Sequence, residues 1–277
     1  MAERLKAHAW KACGRRKSPR GFESPSLRQR DFYSLMVFTS MEDILADLRK
    51  DLNLYASPQK AEALKRFFKT GKGQYGEGDI FLGVQVPDLR KIVRKYANIP
   101  LDKTLNLLRS KIHEERLIAL LIMVEKTKRA NMFERETLFK KYIGNTLYIN
   151  NWDLVDLSAD KIVGSYLFEK PKDILYSLAA SENLWERRIA ILATFDFIKK
   201  GFYEDTLKLA KILLNDRHDL IHKAVGWMLR EIGKRCSQEV LEQFLLVNYK
   251  QMPRTMLRYA IERLPEDLRL QYLNGEK

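Results

Sequence analysis

One periodicity limits what this chain can fold into more than any other feature. HEERLIALLIM (113–123), NWDLVDLSAD (151–160), LWERRIAILAT (184–194), IHKAVGWMLRE (221–231) and TMLRYAIERL (255–264) align with Arg116, Trp152, Arg187, Lys223 and Leu257 at equivalent positions, spaced by 36, 35, 36 and 34 residues. Three residues further on stand Ala119, Ala190, Gly226 and Ala260, small side chains that let helices approach closely, with Val155 as the exception. A helix pair of this length cannot bury its apolar stripe alone and does so by stacking on its neighbours. The expectation is therefore an all-α superhelical solenoid with a concave face.

The rest of the body agrees with the repeat. From Met41 onward apolar residues recur every three or four positions, which predicts helices over about 42–55, 59–69, 87–97, 101–110, 114–128, 132–148, 152–168, 171–180, 184–200, 203–214, 219–235, 237–250 and 253–263. Pro87, Pro100, Pro171, Pro253, Pro265, Gly144 and Gly201 punctuate them as helix boundaries should. The tetratricopeptide pattern is not met, so the repeats are expected to be short and HEAT-like.

The register also places the chemistry. Asn150 to Leu167 reads as a helix start with Asn151 at the cap, and Trp152 and Asp156 lie one turn apart. Counted from the repeat origin, Trp152 is at +0, Asp156 at +4, Arg188 at +1 and Trp227 at +4. At about 100° per residue all four fall within one arc of successive inner helices. Trp152 as core and Asp156 as a solvated charge would explain that stretch alone. An arginine and an aspartate within an inward arc need partners, and an indole beside a carboxylate suits a cationic ligand.

Charge narrows the partner. The net charge is +14, which points to a polyanion, nucleic acid before an anionic membrane surface. Residues 1–40 carry nine Lys or Arg against three acids, so they hold +6 and leave +8 on 41–277. That basic extension has no apolar period and is expected to be disordered. A transit peptide is one reading of it. Another is translation upstream of a true start at Met41, because Phe22-Glu23-Ser24 in RGFESPSLRQ is what a transfer-RNA T-arm string, TTC-GAA-TCC, encodes. The domain expectation is thus an extension over 1–40 and one repeat domain over 41–277. Cys13 and Cys236 form neither a disulfide framework nor a zinc spacing, which fits a reducing, cytoplasmic setting. No apolar run is long enough to span a bilayer, and no membrane partner is expected.

NWDLVD, WERRIAIL and HKAVGWMLRE together resemble the AlkD-like DNA alkylation repair family, HEAT-like repeat DNA glycosylases, over about 41–270. The resemblance implies a right-handed, largely monomeric solenoid holding duplex DNA in a positively charged concave groove. It implies excision of cationic N3- and N7-alkylated purines, without cofactor or metal. By the same similarity Asp156 is the catalytic carboxylate, Trp152 and Trp227 pack against the sugar and backbone, and Arg188 supports the site and a phosphate contact. Gln85, in FLGVQVP, matches a family position near the DNA backbone, and Lys223 joins the expected DNA contacts. The family works from the sugar side of a stacked base, so no base pocket is expected on an open concave face. Residue chemistry agrees: an alkylated purine departs neutral and needs no general acid, while positive charge developing on the deoxyribose needs a carboxylate and aromatic faces.

Residues 69–79, KTGKGQYGEGD, depart from the familiar family pattern. The loop has no GK[ST] ending and so is not a nucleotide loop. It either touches DNA through Lys69, Lys72 and Tyr75 or is an inert connection. Phe67 stands where some relatives place a DNA-contacting tyrosine. His218 and His222 have zinc spacing but no third ligand nearby. A non-catalytic DNA-binding solenoid and a protein-interaction scaffold remain as alternatives.

Overall fold

The structure, a computed structural model, describes residues 44–277; the expectations for residues 1–40 lie outside the described residues. Among the described residues the fold is all-α: α1 (44–53), α2 (Pro58–Phe67), α3 (Val86–Tyr96), α4 (Leu101–Leu108), α5 (His113–Arg129), α6 (Met132–Ile143), α7 (Trp152–Asp156), α8 (Ser165–Leu167), α9 (Asp173–Ala179), α10 (Leu184–Ala193), α11 (Phe195–Lys199), α12 (Glu204–Ile212), α13 (Asp219–Arg235), α14 (Gln238–Asn248), α15 (Arg254–Ala260) and α16 (Glu266–Asn274). An isolated parallel bridge joins Ile80 to Ile112. No helix among these residues is long and apolar enough to cross a membrane.

The repeat register is the packing order. α5 packs on α7 and the turn after it, α7 on α10, α10 on α13, and α13 on α15. α4, α9, α12 and α14 flank these inner helices on the other side. α5 shows why the inner layer must be apolar on nearly every side: Leu117 to Val124 are all buried, enclosed by α3, α4 and the following repeat. α13 needs only a stripe, and Ile221, Ala224, Val225, Met228, Leu229 and Ile232 supply it at three- and four-residue spacing.

Helix ends follow local chemistry. The Asn131 side chain accepts from the Glu134 amide while the Glu134 carboxylate accepts from the Asn131 amide, a capping box that starts α6. Pro58 and Pro87 stand in the first turns of α2 and α3.

Three expected helices are interrupted. The one expected over 132–148 stops at Gly144 and resumes as a 3-10 turn, Thr146–Tyr148. The one expected over 184–200 breaks at buried Thr194, whose hydroxyl donates to the Ile191 carbonyl at 2.7 Å. The one expected over 152–168 breaks after Asp156 and continues through a π-helical turn, Asp160–Gly164. There the Ser158 hydroxyl donates to the Leu154 carbonyl, and a Cβ on Gly164 would come within 2.1 Å of the Ala193 carbonyl oxygen. The wide turn thus lets α10 seat against bare backbone. α16, beyond Pro265, is an element the periodicity did not reveal.

The small residue at the repeat's fourth position has a measurable purpose. A Cβ on Gly226 would lie 2.4 Å from the Met256 carbonyl oxygen and 2.5 Å from the Tyr259 Cβ, both across the α13–α15 contact. Gly226→Ala is expected to lower stability by about 1–3 kcal/mol through overpacking, despite alanine's better helix propensity. A thermal melt equal to or above the parent's would show that the contact is looser than the geometry states.

Candidate active site

α7 is built to present two side chains. The Asn151 side chain accepts from the Trp152 amide at 2.9 Å and caps it, as the sequence suggests. Asp153 turns inward, and its Oδ1 accepts from the Leu154 amide at 2.9 Å. Trp152 and Asp156 are left on the opposite edge, where they face a cleft of about 720 Å³. Arg188 of α10 and Trp227 of α13 line the same cleft, so the four residues that share one arc of the sequence register meet at one surface.

Asp156 is held tightly. Arg188 Nε donates to its Oδ1 and Nη2 to its Oδ2, both at 2.8 Å, a two-pronged pair. Arg188 Nη1 donates to the Leu220 carbonyl at the start of α13. The Arg188 side chain is 5% exposed and that of Asp156 17%. Arg188 therefore turns its guanidinium into the protein, toward the carboxylate, and the expected phosphate contact is not what its geometry offers. Burial pushes the Asp156 carboxyl above its ordinary value, with the Arg188 guanidinium opposing that rise. Two donors occupy one acceptor position on each oxygen, and a carboxylate has about four. The remaining positions are available to the cleft.

The tryptophans differ in freedom. Phe68 stacks on Trp152 with centroids 5.1 Å apart and an interplanar angle of 21°. Phe67 meets its edge at 5.7 Å. Trp152 is thus partly a packing residue, joining α7 to the end of α2. Trp227 leans on Phe195 at 5.8 Å, and its indole N–H donates to Glu231 on its own helix at 3.3 Å.

The glycine-rich loop is not an inert connection in space. Tyr75 crosses to α10 and meets Trp185 edge-on at 5.9 Å. Lys69 and Tyr75 line the cleft with Lys223, whose ammonium pairs with Asp219 at 2.6 Å. Burial raises the Tyr75 phenol above its ordinary value, opposed by the Trp152 indole N–H and the Lys223 ammonium. The loop therefore walls one side of what the sequence suggested would be an open face. Lys72 is exposed and stands outside the cleft lining. Gln85 also stands apart, exposed at the start of α3, where its side-chain oxygen accepts from Lys60 at 3.1 Å. His218 caps α13 by accepting from the Leu220 amide, and His222 bonds the Asp216 carbonyl, so neither ring is directed at the other's partner.

Several residues around this site escaped sequence reasoning. Tyr259 of α15 lines the cleft, and its place one position before Ala260 in the repeat could have signalled it. Phe68 and Phe81 stack on each other behind Trp152, and Phe81 stacks on His113 at 4.5 Å. His113, Asp79, Arg116 and Asp153 form a buried charged cluster beneath the start of α7. Their separations along the chain follow no period.

Residues 48–264 match the DNA alkylation repair enzyme family. No curated protein matches the chain. A solved structure described as a predicted DNA alkylation repair enzyme from Enterococcus faecalis superposes with a TM-score of 0.59 at 17% identity, covering 76% of this chain and 97% of that one. At that identity the likeness shows a shared fold.

Proposed function

The chain belongs to the DNA alkylation repair enzyme family, and from that premise we propose that it is a DNA glycosylase, hydrolysing the N-glycosidic bond of cationic N3- and N7-alkylated purines in duplex DNA. The observation that carries this reading is Asp156: a carboxylate held on both oxygens by Arg188, between two tryptophans, at a cleft edged by Lys69 and Lys223.

The proposed chemistry follows from charge. The bond from C1′ to the purine nitrogen breaks, and its electron pair leaves with the base, which becomes neutral. Positive charge builds on the deoxyribose. Asp156 faces that charge, fixed before the reaction so that no reorganisation is needed. Water forms the new C1′–O bond and gives up a proton, and a free acceptor position on Asp156 can orient it. Lys69, Tyr75 and Lys223 lie where a backbone phosphate beside the lesion would pass. Fixed carboxylate placement favours catalysis over a purely binding role, because a phosphate-binding surface gains nothing from a buried acid.

The test is single-turnover release of free base from duplexes carrying one defined lesion. 7-Methylguanine is expected to be released, and uracil and hypoxanthine retained, since those bases leave poorly without protonation and, among the described residues, the one carboxyl besides Asp156 that lines the cleft, Asp219, is already paired with Lys223. Efficient uracil release would sink the mechanism. Duplex affinity should also fall steeply with salt as phosphate counterions are displaced. Binding that ignores salt would favour a protein-interaction scaffold.

A further inference from the structure

We propose that His113 is a positioning residue for this site: as an imidazolium clamped between Asp79 and Asp153, it ties the glycine-rich loop to the start of the helix that carries Trp152 and Asp156. Its catalytic consequence rests on the glycosylase reading; the strut itself does not.

The geometry demands the charged ring. His113 Nε2 lies 2.8 Å from Asp153 Oδ2, and Nδ1 lies 3.1 Å from Asp79 Oδ2. Ionised carboxylates only accept hydrogen bonds, and a neutral imidazole has a single N–H. A neutral ring would turn a bare nitrogen toward one of the two carboxylates, in a place where all three residues are buried. With both nitrogens protonated, each contact is a charge-assisted hydrogen bond.

The neighbours support that state. From its own helix, Arg116 Nη2 donates to Asp79 Oδ1 at 2.6 Å and stands 3.5 Å from the ring. From the segment before α7, the Asn151 side-chain Nδ2 donates to Asp79 Oδ2 at 3.3 Å. Glu114 turns away and accepts from the Leu82 and Gly83 amides. Two carboxylates thus meet two cations, and Phe68 and Phe81 close the ring off from the side. Burial alone would lower the imidazole, but Asp153 and Asp79 outweigh it and raise it to about 9. Burial would likewise raise Asp79, yet His113 and Arg116 hold it below the usual carboxylate range.

The strut connects parts that chemistry needs together. Asp79 ends the loop that brings Lys69 and Tyr75 to the cleft, and the Ile80–Ile112 bridge sets that end against the start of α5. Asp153 sits between Trp152 and Asp156 on α7. Its negative charge pushes the Asp156 carboxyl upward. When the ring loses its proton, one of the two contacts goes, and either the loop or the helix start is released.

Two measurements test this. Ring-proton NMR of the whole protein should show the His113 imidazole titrating near 9, and shifting toward the ordinary histidine range in Asp153→Asn. Single-turnover release of 7-methylguanine, followed from about pH 7 to about pH 9.5, should fall as the ring deprotonates. His113→Gln should lower the rate about tenfold near neutral pH, within the range that a misplacement of about 1 Å produces, and should lack the alkaline fall. A His113 ring that titrates below pH 7 overturns the proposal, and this measurement requires no variant to fold. So does a His113→Gln protein with the parent's rate and the parent's alkaline fall. A parent protein that releases no methylated base while His113 titrates near 9, with exchange of the loop amides accelerating above that pH by more than base catalysis alone gives, refutes the glycosylase reading and leaves the strut standing.

Discussion

Asp156→Asn is expected to slow single-turnover release of 7-methylguanine by about 10²–10³-fold, the range found when one pre-placed electrostatic group is removed from an active site. The asparagine keeps the shape and still offers one oxygen to Arg188, so the fold should survive. What it loses is the negative charge facing the sugar. It also presents an amide N–H where Arg188 already points a donor, so one prong of the pair is lost. Duplex affinity should stay unchanged or rise slightly, because a negative charge has been taken away from a phosphate path. Rate and affinity therefore separate in this variant. Release at the parent's rate, with normal binding and a normal melt, would place the chemistry elsewhere in the cleft.

Arg188→Ala is expected to do the larger damage to stability. It leaves the Asp156 carboxylate buried without a partner, and breaking a buried pair on one side costs on the order of 3–5 kcal/mol. The 17% exposure that the Asp156 side chain retains argues for the low end of that range. For a domain of this size about 3 kcal/mol corresponds to a melting point lower by roughly 6–12 °C.

Burial already sets the Asp156 carboxyl above its unfolded value, and without the guanidinium it rises further. A carboxyl raised on folding weakens the fold while ionised, and that loss is recovered as the pH drops through the raised value. The gap between parent and variant should therefore be widest near neutral pH and narrow in acid. Excision should fall too, because more of Asp156 carries a proton at the working pH. A gap that widens in acid would mean that Arg188 acts through some other contact.

The inner-helix register was fully legible in the chain. Spacing near 35 and small residues at the fourth position gave the stacking order, and the angular count brought Trp152, Asp156, Arg188 and Trp227 to one surface. What that surface does with each residue was not legible. Arg188 pairs with a carboxylate 32 positions earlier, and only the separation between stacked helices decides whether it reaches that group or solvent. Trp152 can be read as core or as a ligand-facing aromatic and is partly both, because Phe68 at the end of α2 covers one of its faces. The π-helical turn after Asp156 leaves no mark on apolar periodicity, since its causes are a serine bonding backward and a glycine under another helix's carbonyl. The His113 cluster joins residues 34 and 40 apart, and buried charges answer to partners rather than to a pattern.

The four central residues come from three consecutive repeats: Trp152 and Asp156 from one, Arg188 from the next, Trp227 from the third. In a linear array each unit touches only its neighbours, so cohesion is a chain of interfaces rather than one shared core. α16, which carries no residue of the cleft, can fray without disturbing Asp156. Parting α7 from α10 cannot, because it separates the acid from its arginine. On the glycosylase reading, activity reads out cooperativity at two internal junctions, and tolerance for loosening is least between α7 and α13.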